Sequence, residues 1–440
     1  MKRYIIIAAA AALQAVTAGA RDWTLRECID YAVAHNISIR EKDNARKQRE
    51  IQLSTDRNSM LPGVEATVGQ NFSFGRGLTS QNTYTNTNTS NTSFSIVASM
   101  PLFTGMRVTN AIRQSRLNLE AATADLEKAR DDVSLGVAEA YVQILYDMEI
   151  EDVARRQVAI DSMQVARLEA MAGSGKASMA EVSQQKAVLA QSRLTATQAA
   201  NNRRLSVLAL SQLLELPSPD GFSIVRPDVA SLAVDREGIV APDVIYAEAV
   251  GMRPEVKAGE IRLRGADNGV SIARSALFPQ LSLSAGLGTN YYKTSGFQAD
   301  AFSSQIKNNF SQYVGLSLSV TVFNRFQTRN SVRSAKIDRE TQALALENVK
   351  KGLYKEVQQV YYNAVAAAEK YESSRAAVRS GEDAFVLMTA KYENGKANIT
   401  EFNEAKNNFL KAQSDMVQAR YEYVYRCSLI SFYRGRQLSL

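Results

Sequence analysis

Four segments of the chain alternate apolar and small polar residues with a period of two. Val64, Ala66, Val68, Gln70, Phe72 and Phe74 alternate with Glu65, Thr67, Gly69, Asn71, Ser73 and Gly75, and Phe94, Ile96, Ala98, Met100 and Leu102 form a second row. Leu281, Leu283, Ala285, Leu287, Thr289 and Tyr291, then Val314, Leu316, Leu318, Val320 and Val322, repeat the pattern. Successive strand residues point to opposite sides, so each segment predicts a strand with one apolar face, over about 64–75, 93–103, 281–292 and 313–323. The tracts that follow each strand pair carry a helical pattern instead. Leu117, Leu126, Val133, Val137, Tyr141 and Leu145 make an apolar stripe among Arg, Glu, Asp and Gln.

Proline removes a backbone donor and clashes with the preceding helical turn. None occurs between Pro101 and Pro217 or after Pro279, so both tracts permit long uninterrupted helices. Two αα-hairpins are expected, at 106–216 and 327–435, with arms about 106–172 and 179–216, then 327–393 and 399–435. At 1.5 Å per residue the longer arms are on the order of 100 Å. Gly173 and Gly175 end one arm, and Ser178 with Glu181 opens the next as a capping box. Gly395, Asn398 and Glu401 do the same in the second half.

The second half repeats the first in constant register. Phe94 answers Val314, Phe103 answers Phe323, Tyr141 answers Tyr361 and Gly175 answers Gly395, all at a separation of 220. Register kept without a gap marks a rigid element of constrained length. The organisation expected is a first repeat over 21–220, a linker at 221–255 where helical periodicity fails, and a second repeat over 256–440.

The polar faces of the strands are Ser, Gly and Thr, almost devoid of charge. A sheet lying on a soluble core would carry longer charged residues on its wet face, so the pattern points to a transmembrane β-barrel. Its lipid-facing positions would include Val68, Phe72, Phe94, Ile96, Leu283, Leu287, Leu316 and Leu318, with polar external loops at Thr79–Thr92 and Thr294–Asn309. Four strands cannot close a pore, and open edges are prohibitive in hydrocarbon. Closure needs several chains; three would supply twelve strands.

The first twenty residues read as an export signal: Lys2 and Arg3, an apolar stretch from Tyr4 to Ala12, and Ala18-Gly19-Ala20 before the cut. Without Lys2 and Arg3 the formal charge falls from +7 to +5. The charges are interspersed rather than clustered, which argues against a nucleic-acid partner. One histidine, His35, in a helix expected over Leu25–Asn44, and two distant cysteines, Cys28 and Cys427, indicate neither a metal site nor a cofactor. The cysteines are read as two separately buried small residues. Gly173-Ser174-Gly175-Lys176 follows a helix and lacks the hydroxyl after its lysine, so it is no phosphate loop. No nucleophile–base set is evident, and the chain is not read as an enzyme.

Taken in order, the duplication, Leu61-Pro62 and Phe278-Pro279 before the strands, Pro101-Leu102-Phe103-Thr104-Gly105, the Tyr392-Glu393-Asn394-Gly395-Lys396-Ala397 tip and Arg420-Tyr421-Glu422-Tyr423 resemble the TolC-type outer membrane efflux protein family over nearly the whole mature chain. The second repeat departs from the family at Thr321-Val322-Phe323-Asn324, which lacks the proline and glycine. The resemblance implies a mainly helical fold with transmembrane strands: a homotrimer whose twelve-stranded barrel in the outer membrane continues into an α-helical tunnel through the periplasm. It implies docking of the tips, at Gly173, Gly175, Lys176, Gly395 and Lys396, with a periplasmic adaptor (membrane fusion protein) coupled to an inner-membrane pump of RND or ABC type. It also implies that Glu401 and Glu404, i and i+3 on one helix face, form an acidic ring at the tunnel entrance. Glu401 has a capping role as well, and the first repeat has Glu181 and Gln184 at these places. The function expected is a passive outlet of a tripartite efflux system. The alternatives are the outlet of a type I protein secretion system, or a periplasmic coiled-coil adaptor, which would lack lipid-facing strands.

Overall fold

The computed structural model describes residues 22–78, 82–227 and 240–438. The expected export signal lies outside them. The chain divides into two compact units, one made of Ala45–Thr123 and Ala258–Glu347, the other of the remaining described residues.

The first of these units holds an antiparallel four-stranded sheet of β2 (Gly63–Leu78), β3 (Tyr84–Phe103), β5 (Gln280–Thr294) and β6 (Ser311–Ser319), in the order β2-β3-β5-β6. Directly paired residues share a face. Val68 pairs with Phe94, Ile96 with Leu287, and Leu283 with Leu316, while Phe72 and Leu318 fall on the same side by alternation. One face of the sheet is therefore apolar across all four strands. The opposite face carries pairs such as Ser99 with Ser284 and Ser282 with Ser317.

Three boundaries differ from the pattern-based reading. β3 begins at Tyr84, so most of the stretch taken as the first polar loop is strand. Its Thr and Asn residues give no hydrophobic alternation, yet the ladder continues through them, helped by Gln70 Nε2 donating to Ser90 Oγ at 2.9 Å. The second loop contains a short helix, α7 (Phe302–Asn308). β6 stops at Ser319, and Val322 beyond it is 94% exposed rather than laddered. The corner after β6 turns through Arg325 and Phe326, both at positive φ, where the first repeat uses Gly105 and Met106. Gly105 has no room for a side chain: a Cβ there would lie 2.4 Å from the Ser275 carbonyl oxygen.

The other unit contains most of the hairpin helices. α3 (Arg107–Gly173) and α8 (Gln327–Glu393) have 67 residues each and contribute to both units; α4 (Met179–Leu213) and α9 (Ile399–Tyr433) have 35 each. The helix expected over Leu25–Asn44 is two, α1 (Leu25–His35) and α2 (Ile37–Asn58). They break at Asn36, whose ψ of 132° is extended and whose Nδ2 donates to the Leu213 carbonyl at 3.1 Å. Within the stretch 221–255, where the sequence shows no helical periodicity, lies α5 (Pro242–Met252), with Pro242 in the first turn where its missing N–H costs nothing. α6 (Pro254–Ser275) follows, and residues 228–239 lie outside the described set.

β1 (Asp22–Trp23) and β4 (Ser223–Ile224) pair in parallel, and Tyr141 Oη donates to the Val225 carbonyl at 2.6 Å beside them. Leu25, Cys28, Val137, Leu145, Leu210 and Leu214 are buried there in one cluster. Cys427 packs beside a different cluster around Tyr371, Ala419 and Tyr423. His35 stacks on Tyr31 at 4.1 Å between ring centroids. Among the described residues no helix is long and apolar enough to cross a membrane, a statement that leaves strands untouched.

Candidate functional site

The two hairpin tips are built by the same backbone chemistry. Lys176 N–H donates to the Met171 carbonyl and Lys396 N–H to that of Lys391, both at 2.8 Å. Gly175 and Gly395, at φ 74° and 68°, donate to Ala172 and Tyr392. This double bond pattern closes a helix through one left-handed residue, the position that glycine fills without a Cβ penalty. Gly173, read from the sequence as a turn glycine, is instead the last residue of α3; only Gly175 has the left-handed conformation. Gly173, Gly175, Lys176, Gly395 and Lys396 are all exposed.

Each outgoing helix opens on a capping box, Ser178 with Glu181 and Asn398 with Glu401. Glu401 N–H donates to Asn398 Oδ1, and the Glu401 carboxylate accepts from the Asn398 N–H, both at 2.9 Å. Glu401 thus neutralises orphan donors at its own helix start. Glu404, one turn on, has no such bond and is exposed beside it. Phe402, Asn403 and Lys406 are buried on the opposite side of α9, so the two carboxylates share its open face.

Under the tips, Leu168 and Val182 of the first repeat pack with Ile399 and Phe402 of the second. Tyr392 stacks on Phe402 at 5.0 Å, and Arg167 lies over the Tyr392 ring while reaching Glu393 at 3.5 Å. Burial raises the Tyr392 phenol above its ordinary value, against the lowering effects of Gln164 and Arg167.

The group that sequence reasoning missed lies deeper in the same hairpins. Lys406 is 1% exposed and pairs with Asp161, which is fully buried. Asp161 accepts from Ser192 at 2.5 Å and from Gln157 at 2.7 Å. Gln185 accepts from Asn403 at 3.1 Å, and Asn403 accepts from Lys406 at 3.2 Å. α3, α4 and α9 are joined through this network. A buried charge is tolerated only when paired and hydrogen-bonded, and here both conditions hold. The repeat offers one clue. Lys186, the counterpart of Lys406, is exposed and bonds Glu169 at 2.7 Å, while Asp161 stands where the second repeat has Gly381.

Known proteins supply the context. Residues 28–215 and 245–426 match the family described as outer membrane efflux protein. The chain is 24% identical over 437 residues to protein CyaE of Bordetella pertussis, covering 95% of this chain and 83% of that protein. It is also 24% identical over 313 residues to the pyoverdine export outer membrane protein OpmQ of Pseudomonas aeruginosa, over 70% of this chain and 62% of that one. The crystal structure of the outer membrane protein VceC of Vibrio cholerae superposes with a TM-score of 0.77 at 18% identity, over 94% of this chain and 97% of that one, which shows the fold.

Proposed function

The chain belongs to the outer membrane efflux protein family and is a channel protein of the cell outer membrane, and from that premise we propose that three copies close its four strands into a twelve-stranded barrel. The observation that carries this reading is the sheet itself. Its order places β2 and β6 at the ends, each paired on one side only, while one whole face is apolar. Exposed strand edges cannot persist in hydrocarbon, so β6 of one copy pairs with β2 of the next. Val68, Phe72, Phe94, Ile96, Leu283, Leu287, Leu316 and Leu318 face lipid, and residues 1–20 direct export.

In this reading the repeats 21–220 and 256–440, joined by 221–255, supply the wall of a passive duct that carries out no catalytic step. The exposed tips at Gly173, Gly175, Lys176, Gly395 and Lys396 dock a periplasmic adaptor, which couples the duct to an inner-membrane pump. Glu401 and Glu404, on the open face of α9, become a ring of six carboxylates at the tunnel entrance and favour cations there. A relative named for pyoverdine export supports outward transport of small molecules.

The test is the mass of the purified protein in mild detergent, together with its conductance in planar bilayers. A trimer forming discrete channels is expected; a stable monomer overturns the reading, because one chain supplies only four of the strands.

A further inference from the structure

β5 outruns β6. The ladder between them ends at Gly288 paired with Ser311, yet β5 continues to Thr294. α7 covers this otherwise unpaired edge. Gln305 acts as a piece of strand: its Oε1 accepts from the Tyr292 N–H at 2.9 Å and its Nε2 donates to the Tyr292 carbonyl at 3.1 Å. Asn309 Nδ2 donates to the Asn290 carbonyl at 2.8 Å, and Thr289 Oγ1 donates to that of Ile306 at 2.7 Å. Phe302 packs against Tyr291 and Phe94, at 5.3 and 6.4 Å between centroids. Phe94, Thr289 and Tyr291 belong to the apolar face, so α7 lies on the lipid side of the sheet.

The side of α7 turned away from the sheet is polar. Phe302, Gln305, Ile306 and Asn309 make the contacts to the sheet, with Phe302 still 51% exposed, and Ser303, Ser304, Lys307 and Asn308 are exposed on the side turned away. A helix lying in hydrocarbon would show the reverse. α7 therefore marks the level at which the surroundings of the sheet change from acyl chain to headgroup.

Charge on the same face agrees. Of all strand positions sharing a side with Val68 and Leu316, only Arg76 and Lys293 carry charge. Both are cations, both are exposed, and both lie at the loop end of their strands. Lys307 adds a third. Glu65, the one carboxylate within the four strands of this sheet, lies on the other face and at the other end of β2.

We propose that Arg76, Lys293 and Lys307 form a basic collar that binds the phosphate groups of anionic lipids in the outer leaflet, with α7 holding Lys307 at headgroup height. This rests on the barrel reading above, since a sheet outside a membrane would have no leaflet to meet. Against these three cations the second loop carries a single carboxylate, Asp300, so the rim keeps a net positive charge that complements such a surface, and the collar continues the lipid-facing band upward.

The full-length protein in mild detergent is titrated with phosphatidylglycerol or with phosphatidylcholine of the same acyl chains, and bound lipid is counted by native mass spectrometry. The parent trimer is expected to retain phosphatidylglycerol in preference. A variant carrying Arg76→Gln, Lys293→Gln and Lys307→Gln should lose about tenfold in that retention with phosphatidylcholine unchanged. Lys176→Gln with Lys396→Gln, at the hairpin tips, should leave it intact. Equal retention of both lipids by the parent, or undiminished retention by the triple variant, overturns the collar while leaving the trimer standing. A parent that stays monomeric overturns the barrel reading, and the collar with it.

Discussion

Lys406 and Asp161 come from opposite repeats and meet as an ion pair that solvent barely reaches. Replacing either one alone strands the other charge in the core. Asp161→Asn or Lys406→Met is expected to destabilise the chain by about 3–5 kcal/mol, whereas Asp161→Leu combined with Lys406→Met should recover most of that loss. Chemical denaturation of the four proteins measures both quantities. If the single variants unfold with the parent, the pair contributes nothing to the docking of the second hairpin on the first.

Why this pair escaped the sequence is instructive. Lys406 and Lys186 occupy equivalent places and look alike in a linear reading, as long cations on amphipathic helices. Their burial is decided by what another helix brings, the fully buried Asp161 in one case and the half-exposed Glu169 in the other, and no local periodicity records that. The strands were legible where alternation was apolar, as at Leu281–Leu287, and illegible where Thr and Asn alternate, as at Thr85–Asn91. The tips were legible because glycine and the capping box are local requirements. The break at Asn36 and the helix at Phe302–Asn308 depend on partners distant in sequence or on too few residues to show a period.

The two acidic residues near the tip can be separated by their bonding. Glu401→Gln keeps the reach-back hydrogen bond of the cap and removes only charge, so the fold should be undisturbed. Glu404→Ala removes a carboxylate with no cap to lose. Each should reduce cation preference and the block by multivalent cations in planar bilayers, and the double variant should reduce it further, with the differences shrinking in 1 M salt, where screening acts over roughly 3 Å. The reversal potential in a salt gradient reports this. An unchanged potential in a double variant that still forms channels would leave both as solvated helix residues.

Opposite faces of one strand should respond differently to charge. Leu316→Arg places a guanidinium on the apolar side of β6, at a cost of about 2–4 kcal/mol near the bilayer midplane, while Ser317→Arg places it on the polar side. The yield of membrane-extracted trimer should fall for the first and hold for the second. Equal yields would contradict the face assignment.

Cys28 is buried beside Glu27, and burial pushes its thiol up from 9.0 to about 12. The folded state favours the neutral thiol, so its contribution to stability is complete below pH 9 and declines as the pH rises toward 12. At pH 8 the residue should resist alkylation in the folded protein and react once the chain is denatured. Mass spectrometry after iodoacetamide treatment checks this, and rapid modification of the native protein would show that the site opens.

The paired helix lengths, 67 with 67 and 35 with 35 residues, restrict how this chain can change over evolutionary time. One residue inserted into an α-helix advances everything beyond it by 1.5 Å and turns it by about 100°. Such an insertion in α8 would shift its glycine turn and rotate the faces beyond the insertion out of phase with their neighbours. A substitution has no such reach, and the divergence of Lys186 from Lys406 shows that the halves accept different chemistry at one position. Inheritance in this fold is therefore free in residue identity and locked in length: an insertion persists only when its twin arises in the other half, or when a nearby deletion in the same arm restores the phase.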